Sequence, residues 1–245
     1  LEYQTIQAMN HPDRGLCLEV LARLKSADGD GRDMTPKDFL PLIERFELSR
    51  RLDRQVIKQT LCHLYRHPEV ASSLGYCGFN LSRGSLQDRT LPAFVGRALE
   101  KTHLNPASLC FEIPAQHAIH YTAETRQLCR MLQQIGCKTA LDGTGTNMES
   151  YRLAGRLPVD YIKLAPELLD RLHEEPTHLV MAEALQRIAN ATGKITIATS
   201  VENDIARRRV QTLGIHFIQG RRVGAPRPLR ELVGATGNRS AGAIA

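Results

Sequence analysis

The stretch Thr139-Ala-Leu-Asp142-Gly143-Thr144-Gly145-Thr146 decides the fold of this chain. It is an apolar run that ends in a carboxylate and then breaks into a glycine-rich turn. Barrel strands present acids to a pocket in this way, because the carboxyl ends of the strands carry the functional side chains. We therefore predict a buried strand over residues 137–142, with Asp142 at its functional end.

Short apolar runs and longer helical patterns alternate on both sides of this stretch. The predicted strands cover 76–81, 109–113, 159–164, 195–198 and 215–219, and the predicted helices cover 91–102, 123–135, 148–156, 179–192 and 203–213. Such alternation is typical of βαβ units with parallel strands. About seven or eight strands in 245 residues favour an α/β fold of the (β/α)8 TIM-barrel type. An open doubly wound sheet is the alternative.

The two ends of the chain follow a different pattern. Residues 3–7 and 16–24 are predicted strands on either side of a turn at His11-Pro-Asp-Arg-Gly15, so we expect an antiparallel opening strand. Thr35-Pro36 starts a helix that continues to residue 46, and helical periodicity resumes over 52–65. We assign residues 1–232 to one barrel domain and residues 233–245 to a flexible C-terminal tail.

Composition narrows the classes of protein and partner. A hydrophobic content of 42% supports a folded core, and no apolar run reaches the roughly 18 residues of a membrane span. The six cysteines contain no Cys-x-x-Cys pair, which favours buried free thiols of a reducing cytoplasm. The net charge of +6 is spread along the chain, so we expect no nucleic-acid partner and no membrane insertion. With no signal peptide at its start, we interpret the chain as a cytoplasmic segment of a longer protein.

Polar side chains stand at the carboxyl end of nearly every predicted strand. They are Glu19, Arg23, Asn80, Glu112, Asp142, Lys163, Glu202 and Gln219. A single such residue is commonly a helix cap or an ion-pair partner. Because so many meet at one rim of a barrel, the set predicts a site for a hard cation or a phosphate.

The order and spacing of these residues resemble the EAL domain, a bacterial barrel that binds and linearises cyclic di-GMP. The motifs that carry the resemblance occur in order along the chain: Gln4-Thr-Ile6, Glu19-Val-Leu-Ala-Arg23, Phe39-Leu-Pro-Leu-Ile-Glu44, Asn80-Leu-Ser82, Phe111-Glu-Ile113, Leu157-Pro-Val-Asp-Tyr-Ile-Lys163, Val201-Glu202 and Gln219-Gly220. No single motif is decisive, but the ordered set is specific to this family and spans residues 3–229.

The resemblance implies a two-metal reaction centre of which this chain keeps one half. The residues that correspond to the ligands of the first ion are Glu19, Asn80, Glu112 and Asp142. The family's remaining acids are replaced by Gly143, Ala165, Thr199 and Ala115. An aliphatic side chain cannot coordinate a cation and a threonine is no base near pH 7, so we expect hydrolysis to be lost.

Nucleotide binding requires donors and a groove rather than two metals. The resemblance implies ligand contacts from Gln4, Glu19, Leu21, Arg23, Asp53, Asn80, Lys163, Glu202, Gln219 and Pro226. Arg23 is suited to grip a phosphate through two hydrogen bonds. The set is similar to a degenerate EAL domain of the FimX-like receptor type, which implies a catalytically inactive receptor for cyclic di-GMP in control of motility and biofilm.

The same resemblance implies further partners. These are signalling domains of the GGDEF or PAS type within a longer chain, and a protein partner that the sequence does not name. No cofactor is expected to be required, and the four first-ion ligands would hold at most one Mg²⁺, Mn²⁺ or Ca²⁺. Two alternatives stay open: a protein–protein interaction adaptor that no longer binds nucleotide, and a weak cyclic di-GMP phosphodiesterase.

Overall fold

A computed structural model of the chain describes residues 1–9, 14–25, 33–170 and 175–237. Positions 11–13 of the predicted turn and positions 238–245 of the predicted tail lie outside these ranges. The described strands are β1 (Glu2–Ala8), β2 (Leu16–Leu21), β3 (Leu24–Lys25), β4 (Asp33–Met34), β5 (Leu74–Asn80), β6 (Leu109–Pro114), β7 (Lys138–Thr144), β8 (Tyr161–Leu164), β9 (Ile195–Ala198), β10 (Phe217–Gln219) and β11 (Arg227–Pro228).

Eight of these strands close into a barrel, which confirms the predicted fold class. Around the barrel the order is β1, β2, β5, β6, β7, β8, β9 and β10, and β10 pairs with β1 to close the wall. β1 is antiparallel to both neighbours, with Gln4 opposite Glu19 on β2 and Ile6 opposite Gln219 on β10. The other neighbouring pairs are parallel. β11 extends the sheet beside the start of β1, and β3 and β4 pair separately.

Helices connect the strands and cover the outside of the barrel. They are α1 (Pro36–Arg45), α2 (Ser49–Arg66), α3 (Pro68–Ser73), α4 (Arg83–Leu86), α5 (Leu91–Thr102), α6 (Ala115–His120), α7 (Thr122–Gln134), α8 (Met148–Arg156), α9 (Pro166–Asp170), α10 (Pro176–Ala191) and α11 (Asp204–Thr212). Short 3-10 turns occupy Pro106–Ser108 and Leu229–Gly237. The strand predicted over 16–24 is in fact divided between β2 and β3.

Local chemistry explains where several helices begin. Thr35 and Asp38 form a reciprocal capping box at the start of α1, where Pro36 takes the first helical position. The Asn147 side chain accepts a hydrogen bond from the backbone N–H of Ser150 at 2.9 Å, which caps α8. α10 begins three residues earlier than predicted, because Pro176 supplies the fixed backbone angle of a first turn.

The interior of the barrel is layered, and this layering positions the site. An apolar layer takes one side chain from each of the eight barrel strands: Ile6, Cys17, Tyr76, Cys110, Ala140, Tyr161, Ile197 and Phe217. Successive side chains alternate across a strand, so the residue two positions farther on points inward again. On the seven parallel strands that second position, and on the antiparallel β1 the position two residues before Ile6, form a polar layer at the carboxyl ends of the parallel strands. Its members are Gln4, Glu19, Gly78, Glu112, Asp142, Lys163, Thr199 and Gln219, of which only Gly78 has no side chain.

None of the six cysteines, which all lie in the described ranges, forms a disulfide bond, and five are buried as predicted. Cys62 on α2 is the exception and is exposed. No helix among the described residues is long and apolar enough to cross a membrane.

Candidate functional site

Glu19 lies at the centre of the polar layer and joins four strands of the barrel. Its Oε2 accepts hydrogen bonds from Lys163 Nζ at 2.8 Å and from Gln219 Nε2 at 2.7 Å. Its Oε1 accepts a hydrogen bond from Asn80 Nδ2 at 2.5 Å. Gln219 also donates to Gln4 Oε1 at 3.1 Å, and Gln4 donates to the Gly224 carbonyl at 3.0 Å. The first strand and the last barrel strand are therefore linked through side chains as well as through backbone.

Glu112 is the second acid of the layer and is wholly buried. Its Oε1 accepts a hydrogen bond from Tyr76 Oη at 2.7 Å, and its Oε2 pairs with Lys163 Nζ. A Cβ at Gly78 would come within 2.0 Å of Glu112 Oε1, so only glycine leaves room for this carboxyl. Lys163 is 2% exposed and donates to both glutamates. One buried ammonium thus lies between two buried acids.

The charges of this cluster shift its pKa values in opposite directions. Burial, then the nearby charge of Glu19, raises the pKa of Glu112 to about 8, although Lys163 opposes the rise. Burial would raise the pKa of Glu19 as well, but the Lys163 ammonium and the hydrogen bonds from Gln219 and Asn80 outweigh it and lower that pKa. Burial also raises the pKa of Asp142, which is partly exposed at the rim. The cluster therefore favours one ionised glutamate beside the lysine.

Side-chain donors already engage two of the four predicted first-ion ligands in this structure. Both carboxylate oxygens of Glu19 and of Glu112 already accept hydrogen bonds. The Lys163 ammonium lies between these two acids, where a second cation would be repelled. In the part of the chain that the structure describes, no three residues among His, Cys, Asp and Glu are grouped to hold a metal ion. Of the predicted set, Glu19 and Glu112 pair with Lys163, and Asn80 donates to Glu19.

Arg23 lies at the rim rather than in the polar layer. Its Nη2 forms an ion pair with Glu2 Oε2 at 2.9 Å, and its side chain is 20% exposed. It lines an open cavity of about 700 Å³ together with the first residues of β1 and one face of α2. Leu21 and Pro226, the predicted apolar walls, are partly exposed. Arg23 is therefore the accessible cation of the predicted ligand set.

Asp53 and Glu202 lie apart from the polar layer. Asp53 is 7% exposed, and its Oδ2 accepts hydrogen bonds from Ser82 N, Ser82 Oγ and Ser85 Oγ at 2.8, 2.7 and 2.6 Å. It anchors the segment that follows Asn80 and starts α4. Glu202 is exposed and lines a separate cavity of about 440 Å³ beside the start of α11.

Four positions at the rim have no acid in this chain where the family resemblance implies one. Gly143 has a φ of +67°, and a Cβ placed there would meet no atom within 4 Å. Ala165 is 1% exposed, and its N–H donates to the Thr144 carbonyl at 2.8 Å. Thr199 Oγ1 donates to the Leu164 carbonyl at 2.7 Å. Ala115 is buried at the first position of α6. None of these four residues brings a charge to the rim.

Sequence reasoning missed three contributors to the site. Tyr76 and Gly78 precede Asn80 at steps of two along β5, so strand alternation alone places all three inside the barrel. That signal could have identified both residues. Glu2, the ion-pair partner of Arg23, carried no such signal, because its pairing depends on the register that sets Glu2 opposite Leu21.

Comparisons with known proteins agree with this geometry. The sequence pattern of one known family, the EAL domain, matches residues 1–226. Cyclic di-GMP phosphodiesterase PdeB of Shewanella oneidensis is 29% identical over 230 residues, which are 94% of this chain and 26% of that protein. Probable cyclic di-GMP phosphodiesterase PdeA of Escherichia coli K12 is 29% identical over 213 residues, 87% of this chain and 29% of that protein. The chain therefore spans little more than a quarter of these relatives.

Solved structures show the same fold. The crystal structure of the FimX EAL domain from Pseudomonas aeruginosa bound to cyclic di-GMP is 25% identical, with a TM-score of 0.82 over 92% of this chain and 89% of that chain. The PaMucR phosphodiesterase in complex with cyclic di-GMP has a TM-score of 0.84 at 23% identity, over 95% of this chain and 93% of that chain.

Proposed function

The chain belongs to the EAL domain family, and from this membership we propose that it is a receptor that binds cyclic di-GMP without hydrolysing it. One observation carries the proposal. The polar layer around Glu19 is intact, whereas Gly143, Ala165 and Thr199 bring no acid to the rim above it. Binding of a phosphodiester needs only the hydrogen-bonding groups that this chain keeps. Cleavage of the phosphodiester also needs the second set of acids, which the chain lacks.

Donors and acceptors at the rim support binding of a nucleotide. Gln219 Oε1 is buried and has no hydrogen-bond partner among the described residues, so it is available to a donor such as a base N–H. Arg23 and Glu202 line two separate open cavities of about 700 and 440 Å³. The FimX EAL domain, 25% identical to this chain, has been solved with cyclic di-GMP bound.

We assign phosphate contact to Arg23. Its guanidinium is held by Glu2 at 2.9 Å, so binding would exchange this carboxylate for a phosphate oxygen. Leu21 and Pro226 would flank the ligand, and Glu202 would accept from a guanine edge. Asp53 and Lys163 are buried and already bonded, so we assign them to the support of Asn80 and of the two glutamates.

The absence of acids supports loss of hydrolysis. Thr199 donates its hydroxyl to the Leu164 carbonyl, and a neutral alcohol does not take a proton from water near pH 7. Ala165 and Gly143 offer no carboxylate to a cation. Lys163 already donates to Glu19 and Glu112, so we assign these two acids to the support of the site.

A second candidate function is weak hydrolysis of cyclic di-GMP. It is favoured by the curated relatives, since PdeB and PdeA are both named as phosphodiesterases and are each 29% identical to this chain. A role as an adaptor that ignores the nucleotide would follow if neither binding nor turnover occurred. We further propose that the chain acts in the cytoplasm beside other signalling domains.

Calorimetry and chromatography on the 245-residue chain test these functions together. We expect saturable binding of cyclic di-GMP, and no linear pGpG after prolonged incubation with Mg²⁺ or Mn²⁺. Arg23→Ala should weaken binding about ten- to one-hundredfold, since hydrogen bonds to charged groups contribute roughly 1.5–3 kcal/mol. Arg97→Ala, an exposed arginine on α5, serves as the matched control and should change little. Absence of binding at high micromolar ligand would refute the receptor, and formation of pGpG would establish the phosphodiesterase.

Restoring three of the missing acids tests whether their loss is what prevents hydrolysis. The triple variant Gly143→Asp, Ala165→Asp, Thr199→Glu should acquire pGpG formation with Mn²⁺. Open space at Gly143 admits the first of these side chains, and aspartate tolerates its positive φ better than most residues. The amide version, with asparagine and glutamine at the same positions, is the control and should stay inactive.

A further inference from the structure

A groove on the outer surface of the barrel lies between α10 and α11, away from the polar layer. It has a volume of about 580 Å³. One face of α10 and one face of α11 form its walls. On each helix the lining residues recur at spacings of three, four and seven positions, which keeps their side chains on the same helical face. The lining residues are Leu179, Glu183, Gln186, Arg187, Asn190, Ile205, Arg208, Arg209, Thr212 and Leu213.

The floor of the groove is fixed by buried hydrogen bonds. Gln186 is 6% exposed, and its Nε2 donates to Asn190 Oδ1 at 3.0 Å and to the Gly214 carbonyl at 3.1 Å. Its Oε1 accepts a hydrogen bond from Thr196 Oγ1 at 2.7 Å. These bonds tie α10 to the turn after α11 and to β9. The groove is therefore a built feature of the fold.

The side chains that line the groove carry an excess of positive charge. Arg187, Arg208 and Arg209 form no ion pair in the part of the chain that the structure describes, and Glu183 is the single acid of the lining. On the same helix α11, Asp204 is already paired with Arg222 at 2.9 Å. Three arginines thus face the groove without a carboxylate partner, which calls for an acidic occupant.

Apolar side chains lie between these charges. Ile205 lines the groove and is 55% exposed. Leu179 and Leu213 are partly buried beside it. From Leu179 to Asn190 the α10 face is about 16 Å long at 1.5 Å per residue, or roughly three helical turns. The length, the apolar strip and the arginine walls match a short amphipathic helix lying in a groove.

We propose that the groove between α10 and α11 is a docking site for an acidic amphipathic helix of a partner protein. Its apolar face would cover Ile205, Leu179 and Leu213, and its acidic flanks would pair with Arg187 and Arg208. A second copy of the same groove is excluded as the occupant, because it would place arginines against arginines.

A labelled probe peptide tests the proposal by fluorescence anisotropy. The probe is a helical peptide of about 14 residues with leucines on one face and glutamates on both flanks. Its control has the same composition, with the leucines distributed around the helix. We expect the whole chain to bind the probe peptide saturably and to bind the control peptide at least tenfold more weakly. Both peptides are measured at 50 mM and at 300 mM NaCl.

Charge-reversal variants locate the binding. Arg187→Glu/Arg208→Glu takes one arginine from each wall and should weaken the probe at least tenfold. Arg97→Glu/Arg130→Glu changes the net charge equally on exposed sites of α5 and α7, and should stay within twofold of the original chain. Thermal unfolding followed by circular dichroism checks that both variants fold. Equal losses in the two variants, equal binding of the two peptides, or no saturable binding at about 1 mM probe would each overturn the proposal.

Discussion

Lys163→Met is the sharpest test of how the polar layer is held together. The substitution keeps the side-chain length and removes the ammonium that donates to Glu19 Oε2 at 2.8 Å and to Glu112 Oε2. Lys163 is 2% exposed, so water cannot replace the lost donor. Two buried carboxyls would then face each other without a cation.

The expected loss is large. Removing one partner of a buried ion pair typically costs about 3–5 kcal/mol, because the remaining charge stays unpaired in a poorly solvated place. For a domain of this length the unfolding entropy is on the order of 0.5 kcal/mol per kelvin, so Tm should fall by about 6–10 °C. The fall should be smaller at pH 5 than at pH 8, since a proton can replace the lysine as the neutralising group.

Differential scanning calorimetry supplies the measurement, and two further variants supply the controls. Lys163→Met/Glu19→Gln should recover at least half of the lost Tm, because a neutral amide replaces the ionised glutamate that has lost its cation. Lys138→Met breaks an ion pair with Asp160 that is partly exposed, and should cost less than about 1 kcal/mol. A fall in Tm of less than about 2 °C for Lys163→Met, or a double variant no better than the single one, would refute the reasoning.

Three other predictions follow from the same cluster. The pKa of Glu112 is about 8 in the folded chain against a usual 4.5, so the folded state holds this proton more tightly and stability falls as pH rises through that interval. The Tm of the original chain, taken relative to Glu112→Gln, should therefore decrease by several degrees between pH 5 and pH 9, and a constant difference would contradict the assignment. Gly78→Ala should cost about 2 kcal/mol or more in urea unfolding, since its Cβ would come 2.0 Å from Glu112 Oε1. Gly96→Ala on α5, where the nearest atom is 3.9 Å away, should instead stabilise by roughly 0.5–1 kcal/mol. Tyr76→Phe should cost about 1–2 kcal/mol, and a double-mutant cycle with Glu112→Gln should show coupling if their 2.7 Å hydrogen bond forms in solution.

The sequence carried most of the fold because its signals are local. Alternating apolar runs and helical patterns marked the barrel strands, and Asp142 before Gly143 marked the end of one of them. The inward-facing acids were found for the same reason, since Glu19 and Glu112 each interrupt a short apolar run near its end. Strand periodicity and strand ends are properties of a few neighbouring residues, and these can be read directly.

The remaining features depend on contacts between distant residues. The closed barrel places Lys163 between Glu19 and Glu112, which come from two other strands. The Asp53 carboxylate of α2 accepts a hydrogen bond from Ser82. Neither outcome follows from spacing, because the register between strands and the docking of helices fix the partners.

The position of Gln4 and Gln219 has a consequence for the lifetime of the folded chain. The first strand of the chain, β1, pairs with the last barrel strand, β10. Across this junction Gln219 Nε2 donates a hydrogen bond to Gln4 Oε1 at 3.1 Å. Pairing residues this far apart in sequence carries a large loop-closure cost, which slows folding. A ligand that touched both glutamines would hold this junction shut, so binding should slow unfolding as well as shift its equilibrium. Resistance to proteolysis would then report occupancy of the site.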